Sequence, residues 1–227
     1  GYDYMEMCID ATDEKINRIF MDTAEKKENA AGVCAAECAA EIKAGIRKQM
    51  RAMRRALDAE AVREASFAVA EKVRALPEFN SAGLLMAYMP AKNELDPMPL
   101  IECAKAAGKR IAFPLCIENG GLRLFVPNNG ADSFASGSYG ILEPKPEDST
   151  EVFAEDIDLI IVPAVAFTKE CGRLGQGGGY YDRLLKKTGA FTVGVGYDFQ
   201  LCESLPVEEH DMPLDCVALP GALFKKG

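Results

Sequence analysis

Residues 172–182 read Gly-Arg-Leu-Gly-Gln-Gly-Gly-Gly-Tyr-Tyr-Asp, a glycine-rich stretch around which the rest of the chain is organised. It follows the apolar run at residues 159–167, which has the two-sided hydrophobicity of a buried strand. It precedes residues 183–187, which can continue as a helix. Because glycine lets the backbone approach a phosphate closely, a strand, a glycine loop and a helix in this order predict backbone N–H groups aimed at an anion.

The side chains beside these glycines add charge to the loop. Arg173 can donate a fork of hydrogen bonds to a phosphate, and Asp182 offers a hard oxygen ligand for Mg²⁺. The loop is not a Walker A motif, because no Gly-Lys-Ser/Thr follows, and its glycine spacing does not fit the dinucleotide-binding fingerprint. A flexible turn that needs glycine only for positive φ is the alternative interpretation.

The composition is typical of a globular protein with one substantial domain, alone or with an appendage. The formal net charge of −9 over 227 residues argues against a general nucleic-acid surface, although it allows an anionic substrate. No apolar run is long enough for a membrane helix and no secretory signal is visible, so we expect a cytoplasmic protein. The eight cysteines are scattered and only one histidine is present, which favours reduced thiols over a zinc site.

Short apolar strands alternate with helical patterns through most of the chain. The predicted helices cover residues 41–57, 59–76 and 97–107, and the predicted strands cover residues 83–89, 110–115, 122–126, 158–163, 191–195 and 216–219. This order predicts a single three-layer α/β/α domain with a mainly parallel sheet at residues 41–227. Residues 1–40, acidic and then alanine-rich, are predicted to form an N-terminal helical extension.

The first helix of this domain has one apolar stripe with cations beside it. The stripe comprises Ile42, Ile46, Met50, Met53 and Leu57. Lys43, Arg47 and Arg54 lie within about 40° of one another along one border of the stripe, at 100° per residue. Such cations usually extend into solvent, but they can also point into a pocket beside the helix.

The glycine-rich stretch resembles the signature of the 5-formyltetrahydrofolate cyclo-ligase (5,10-methenyltetrahydrofolate synthetase) family, Gly-Arg-Leu-Gly-x-Gly-x-Gly-Tyr-Tyr-Asp-Arg, at residues 172–183. The resemblance covers roughly residues 41–219. It implies a ligase that converts 5-formyltetrahydrofolate and ATP to 5,10-methenyltetrahydrofolate, ADP and phosphate, with Mg²⁺, through phosphorylation of the formyl oxygen. The implied partners are reduced folate and ATP, without nucleic acid or membrane, and the implied assembly is a monomer or homodimer.

The resemblance also implies roles for particular residues. For ATP it points to the first helix and the glycine loop, namely Lys43, Arg47, Arg173, Leu174, Gly175, Gln176, Gly177, Gly178, Gly179, Tyr180 and Tyr181. For the folate it points to Met89, Glu94 and Tyr180, and for Mg²⁺ to Asp182 and Asp211. No protein nucleophile is implied, and Arg173 and Tyr180 are the candidate stabilisers of the reacting groups.

Two details qualify this assignment. A Lys, an Arg four residues on and another Arg eight further on open the family's core, and Lys43, Arg47 and Arg55 match that spacing. Some family members carry basic residues where this loop has Gln176 and Gly178, so phosphate binding is expected to depend more on Arg173 and the first helix.

Other acidic residues have simpler interpretations, and other functions stay open. Asp96 is predicted to cap the helix that starts at Pro97, Glu143 is predicted to be structural, and His210 is predicted to be an exposed loop residue. A non-catalytic folate- or nucleotide-binding module of the same fold is one alternative function. A sugar-phosphate isomerase or an acyl-CoA transferase, with Glu94 or Glu143 as base or nucleophile, is another.

Overall fold

The structure is a computed structural model that describes residues 35–117, 120–137, 140–206, 208 and 211–227. The helices in these ranges are α1 (Ala35–Arg55), α2 (Ala59–Arg74), α3 (Pro77–Ser81), α4 (Met98–Ala106) and α5 (Tyr180–Leu185). Helix α1 runs through the predicted domain boundary at residue 40. The remainder of the predicted extension, residues 1–34, lies outside the described residues and stays a prediction.

Eight of the described strands form one mixed sheet. The strands are β1 (Leu84–Met86), β2 (Arg110–Cys116), β3 (Leu122–Pro127), β4 (Phe134–Ser136), β5 (Leu142–Pro144), β6 (Ser149–Val152), β7 (Leu159–Pro163), β8 (Ala166–Phe167), β9 (Arg173–Leu174), β10 (Phe191–Val195), β11 (Cys216–Ala218) and β12 (Leu223–Lys225). The order is β12-β11-β10-β7-β1-β2-β3-β6. The five strands from β11 to β2 are parallel, and β3 pairs antiparallel with β2, to form the β2–β3 hairpin.

The core lies on both faces of this sheet, because successive strand residues point to opposite sides. In β1, Leu85 packs in the cluster that α2, α3 and α4 complete, whereas Leu84 packs in the cluster that contains Leu184 and Leu185 of α5. This arrangement confirms the predicted three-layer α/β fold with a mainly parallel sheet. Within the described residues, no helix has both the length and the apolar character that crossing a membrane requires.

Helix ends in the first half of the chain follow local side-chain chemistry. Asp58 caps α2 by accepting a hydrogen bond from the Ala61 N–H at 2.8 Å. Pro77 begins the short helix α3, where its missing N–H costs nothing. Asp96 Oδ1 accepts from the Met98 N–H at 2.9 Å, so Asp96 bonds the first residue of α4 as a cap would. The helix begins one residue later than predicted, however, and Pro97 occupies the N-cap position.

The apolar run at residues 159–167 is not one strand. Strand β7 ends at Pro163, and β8 then pairs with β9 in a separate two-stranded hairpin. Cys171 adopts a φ of 62° between β8 and β9, where the chain reverses. The glycine loop therefore follows β9 instead of β7. Ile46 of α1 packs on the same hairpin, which brings the first helix beside the glycine loop.

Candidate active site

A cleft of about 480 Å³ lies where α1, the ends of β1 and β7, the β2–β3 hairpin and the glycine loop meet. This volume suits a small-molecule site. Every residue that the sequence predicted for ATP, folate and Mg²⁺ lines this one cleft: Lys43, Arg47, Met89, Glu94, Arg173, Leu174, Gly175, Gln176, Gly177, Gly178, Gly179, Tyr180, Tyr181, Asp182 and Asp211. Residues far apart in the sequence thus share one cleft at the carboxyl ends of parallel strands, where open α/β sheets bind ligands.

The glycine loop needs its glycines for backbone shape and for close contacts. Gly177 and Gly179 have φ angles of +106° and +66°, which other residues rarely adopt. A Cβ at Gly178 would lie 2.7 Å from the Tyr180 ring. Arg47 Nε donates to the Gly175 carbonyl oxygen at 2.9 Å, which attaches the loop to α1. Helix α5 begins directly after Gly179 and is only six residues long, so its dipole contributes little.

Arg173 and Tyr181 leave buried polar atoms without partners. The Arg173 side chain is 3% exposed, and its Nη2 lies 2.5 Å from Asp182 Oδ1. The Arg173 Nε and the Tyr181 hydroxyl are buried and make no hydrogen bond. Burial, with the nearby charge of Glu94, raises the pKa of Tyr181 above its ordinary value, so this hydroxyl is a protonated donor. Because buried polar groups are rarely left unpaired, these two atoms indicate a ligand site.

Lys43 brings a buried positive charge to the same cleft. Its Nζ lies 2.9 Å from Glu208 Oε1 and 3.2 Å from Asp211 Oδ2. Asp211 Oδ2 also accepts from the Glu208 N–H at 2.9 Å. Burial lowers the pKa of Arg47, and the neighbouring Arg51 lowers it further. The sequence analysis did not single out Glu208, although its position three residues before Asp211 was a signal for it. The histidine His210 lies outside the described residues.

Glu94 stands on a tight turn after β1. Its Oε1 lies 3.2 Å from Arg54 Nη1 and 3.4 Å from Gln176 Nε2, and its Oε2 accepts from the Ala91 N–H at 3.3 Å. Met89, at the start of the same segment, is half-buried against the core. Arg55, which matches the family spacing, is exposed and does not line the cleft.

The structure also brings in residues that the sequence did not single out for the site. Glu143, predicted to be structural, lines the cleft from β5 beside Cys116 at the end of β2. Burial raises the pKa of the Cys116 thiol, and the charge and hydrogen bond of Glu143 raise it further. Apolar residues complete this side of the cleft, namely Phe113, Leu122, Ile141 and Leu142. Three of them come from short strands and Ile141 directly precedes β5. In such short segments, alternating hydrophobicity does not separate cleft positions from core positions.

The carboxylates of Asp182 and Asp211 suit a metal ion that is already coordinated by phosphate and water. Among the described residues, no group of three or more His, Cys, Asp or Glu side chains could hold a metal ion. Asp182 and Asp211 are each paired with a cation of the chain. Mg²⁺ commonly uses one or two carboxylates together with water and substrate phosphates, so this donor set suits a metal bound to phosphate better than an all-protein site.

Comparison with known sequences identifies a family. The model of the 5-formyltetrahydrofolate cyclo-ligase family matches residues 39–220. The 5-formyltetrahydrofolate cyclo-ligase of Escherichia coli (strain K12) is 34% identical over 174 residues, which cover 75% of this chain and 96% of that protein. The mitochondrial 5-formyltetrahydrofolate cyclo-ligase of Arabidopsis thaliana is 30% identical over 196 residues, which cover 74% of this chain and 70% of that protein.

Two solved structures have the same fold. The NMR structure of Aquifex aeolicus 5,10-methenyltetrahydrofolate synthetase matches with a TM-score of 0.72 and 35% identity, and the match covers 82% of this chain and 93% of that chain. The 5,10-methenyltetrahydrofolate synthetase from Mycoplasma pneumoniae matches with a TM-score of 0.65, covering 78% of this chain and 98% of that chain. At 24% identity the second match shows likeness of fold alone.

Proposed function

The chain belongs to the 5-formyltetrahydrofolate cyclo-ligase family and is an enzyme of that family, and on this premise we propose that its cleft binds 5-formyltetrahydrofolate and Mg-ATP and releases 5,10-methenyltetrahydrofolate, ADP and phosphate. One observation carries the proposal. Cations and glycine N–H groups suited to a triphosphate share a single cleft with an apolar region and a carboxylate suited to a reduced folate.

The reaction proceeds in two bond-forming steps. The formyl oxygen attacks the γ-phosphorus of ATP, ADP leaves, and the formyl carbon becomes bonded to a phosphate leaving group. The N10 lone pair then attacks that carbon, the carbon–oxygen bond breaks, phosphate leaves and N10 loses its proton. Neither step needs a protein nucleophile, so the chain's contribution is to position the groups and to neutralise charge.

The glycine loop and α1 hold the triphosphate in this proposal. The backbone N–H groups of residues 175–179 and the side chains of Lys43, Arg47 and Arg173 donate to phosphate oxygens. The buried Arg173 Nε, which has no partner, and the buried Lys43 support these assignments. A ligand phosphate replaces the carboxylate partners of these cations, and charge-assisted hydrogen bonds in a dry site hold it strongly.

The folate lies against Met89, Glu94 and the tyrosines. Glu94 accepts N–H hydrogen bonds from the pterin, and the thioether of Met89 and the ring of Tyr180 contact its flat face. The unpaired Tyr181 hydroxyl donates to a substrate oxygen. Apolar residues of the β2–β3 hairpin and β5 exclude water from the activated formyl carbon.

Asp182 and Asp211 would hold Mg²⁺, directly or through water, if it is bound together with the nucleotide. The ion supplies positive charge to the phosphate oxygens. Asp182 is paired with Arg173 and Asp211 with Lys43. A phosphate bound by the two cations would free both carboxylates for this role.

Formation of the methenyl product is the direct test. Its absorbance is followed with 5-formyltetrahydrofolate present and Mg-ATP added last. A rise that needs both ATP and metal, and that Asp182→Ala abolishes, supports the proposal. No rise, with tight folate or ATP binding by calorimetry, favours the non-catalytic binding module. No rise and no binding rejects both functions.

A further inference from the structure

Arg54 is a buried cation at the end of α1, and the next residue provides a contrast to it. The Arg54 side chain is 5% exposed and its Nη1 lies 3.2 Å from Glu94 Oε1, whose side chain is 15% exposed. Arg55 lies in the same helical turn and is exposed. Arg54 does not line the cleft, whereas Glu94 does. The pair therefore links the buried Arg54 guanidinium of α1 to the cleft through the carboxylate of Glu94.

Hydrogen bonds also attach the turn that carries Glu94 to the end of α1 and to Tyr197. Asn93 Nδ2 donates to the carbonyl oxygens of Arg54, at 3.1 Å, and Leu57, at 3.2 Å. The Tyr197 hydroxyl donates to the Asn93 carbonyl oxygen at 3.1 Å. Lys92 and Asn93 have φ angles of 50° and 58°, an unfavourable conformation that persists only where surrounding contacts hold it. The end of α1 thus holds both the turn and the carboxylate that the turn carries.

Glu94 keeps acceptor capacity for a ligand after these contacts. A carboxylate offers about four lone-pair sites. The chain supplies Arg54 and the more distant Gln176 to Oε1, and the Ala91 N–H to Oε2. Buried ion pairs add little net stability relative to well-packed apolar pairs. The location of this pair behind the cleft wall is therefore better explained by ligand binding than by folding.

We infer that Arg54 is a positioning residue for the reduced folate: it fixes the orientation of the Glu94 carboxylate and balances its charge, and it acts on the substrate only through Glu94. The inference rests on the proposed function, in which Glu94 binds the folate. It assigns Arg54 no contact with the triphosphate, unlike Lys43 and Arg47, which share its side of α1.

A set of five variants tests this role. Arg54→Met removes the charge at similar volume, Arg54→Lys keeps the charge, and Arg55→Met is the matched control in the same turn. Glu94→Gln is made alone and together with Arg54→Met. Calorimetry with 5-formyltetrahydrofolate in the absence of ATP gives Kd, methenyl formation gives kcat and the KM for ATP, and urea unfolding gives stability.

Arg54→Met is expected to raise the folate Kd about tenfold or more, because a hydrogen bond to a charged group is lost. The KM for ATP is expected to stay within about twofold of wild type, since a purely structural defect would affect both substrates. Arg54→Lys should recover part of the affinity, and Arg55→Met should change neither constant. In the Glu94→Gln background, Arg54→Met should alter Kd by less than about twofold, because its route to the substrate has gone.

Two results overturn the inference while leaving the proposed function intact. One is a wild-type enzyme that forms product, with Arg54→Met affecting folate affinity no more than Arg55→Met does. The other is an undiminished effect of Arg54→Met in the Glu94→Gln background. If wild type neither binds the folate nor forms product, the proposed function fails and the inference fails with it. If Arg54→Met does not fold, the inference is tested with Arg54→Lys and with the double variant Glu94→Gln and Arg54→Met. The double variant leaves no unpaired carboxylate in the protein.

Discussion

Two walls of the cleft hold their charges in different ways. In the glycine-loop wall (residues 173–182 with Lys43 and Arg47), buried cations pair with partly exposed carboxylates, such as Asp182 at 20% and Glu208 at 40% exposure. In the turn wall (residues 88–94 with Arg54), a buried cation and backbone bonds hold the single carboxylate Glu94. In the proposed function the first wall exchanges chain carboxylates for ligand phosphates, whereas the contacts of the second wall are already formed without a ligand. Variants that separate nucleotide binding from folate binding test this difference.

The largest effect is expected from Arg173→Ala in the glycine-loop wall. Loss of its charge-assisted hydrogen bonds should raise the KM for ATP about 100-fold, since each such bond contributes about 1.5–3 kcal/mol. The Kd for 5-formyltetrahydrofolate should stay within about twofold of wild type if the two walls act separately. Steady-state kinetics and calorimetry measure the two constants.

Two further variants, Arg173→Lys and Arg63→Ala, are compared with Arg173→Ala. Arg173→Lys keeps the charge but loses the planar fork, so its KM for ATP should lie between those of wild type and Arg173→Ala. Arg63→Ala, on the exposed surface of α2, is the control and should behave as wild type. An unchanged KM for ATP in Arg173→Ala, with a native circular dichroism spectrum, would remove Arg173 from the phosphate site.

Glu94→Gln is the corresponding change in the turn wall. Replacing the charged acceptor should raise the Kd for 5-formyltetrahydrofolate about tenfold, because hydrogen bonds to charged groups are roughly twice as strong as neutral ones. The KM for ATP should be nearly unchanged, with Glu102→Gln, exposed on α4, as the control. A rise in the KM for ATP as large as the rise in folate Kd would show that the walls are not independent.

Gly178→Ala should have a smaller effect that reaches both substrates. The added Cβ would lie 2.7 Å from the Tyr180 ring, so the ring must move. Both the folate Kd and the KM for ATP are expected to rise about fivefold, a cost of about 1 kcal/mol. Gly189→Ala, where an added Cβ meets nothing within 4 Å, is the matched control. An effect confined to one substrate would locate the Tyr180 ring at that substrate alone.

Tyr197→Phe should have the smallest effect, on the stability of the turn wall. Loss of the hydrogen bond to the Asn93 carbonyl oxygen should lower the free energy of unfolding by about 1 kcal/mol at pH 7. Burial raises the pKa of Tyr197 to about 12. A tyrosine in the unfolded chain ionises at about pH 10, so the wild type should lose stability as pH rises from about 10 to about 12.

Urea unfolding at pH 8 and pH 11 checks both parts of the Tyr197 prediction. The decrease in the free energy of unfolding between the two values should be smaller in Tyr197→Phe than in wild type, because phenylalanine has no proton to lose. Equal decreases in the two proteins would mean that Tyr197 does not contribute to the loss of stability at high pH.

Helical spacing grouped Arg54 with Lys43 and Arg47 and left open whether these cations extend into solvent or toward a pocket. At 100° per residue, Lys43, Arg47 and Arg54 lie along one border of the α1 stripe, and the structure buries Arg54 against Glu94. The family spacing selects Arg55, which the structure exposes. The spacing of residues along a helix shows which side chains lie on the same face. The face on which a side chain lies determines which residues it contacts.

The parts that the sequence did not predict depend on contacts between distant segments. The strand predicted at residues 158–163 matches β7, but the apolar pattern that continues to residue 167 does not mark where β8 turns to pair with β9. Glu143 reaches the cleft because β5 packs beside β2, and Glu208 because its segment lies beside Lys43. Such placements leave no helical or strand periodicity in the chain, and for Glu208 the only sequence signal was its spacing of three residues from Asp211.

The left-handed backbone at Lys92 and Asn93 restricts which substitutions these two positions can accept. Asparagine tolerates that conformation and its side chain also bonds the end of α1, so glycine at position 93 would retain the shape but lose the attachment. A β-branched residue at either position would favour a different turn and displace the acidic residue that follows. Substrate preference is therefore expected to drift more readily through changes in the apolar cleft lining than through changes in these two codons.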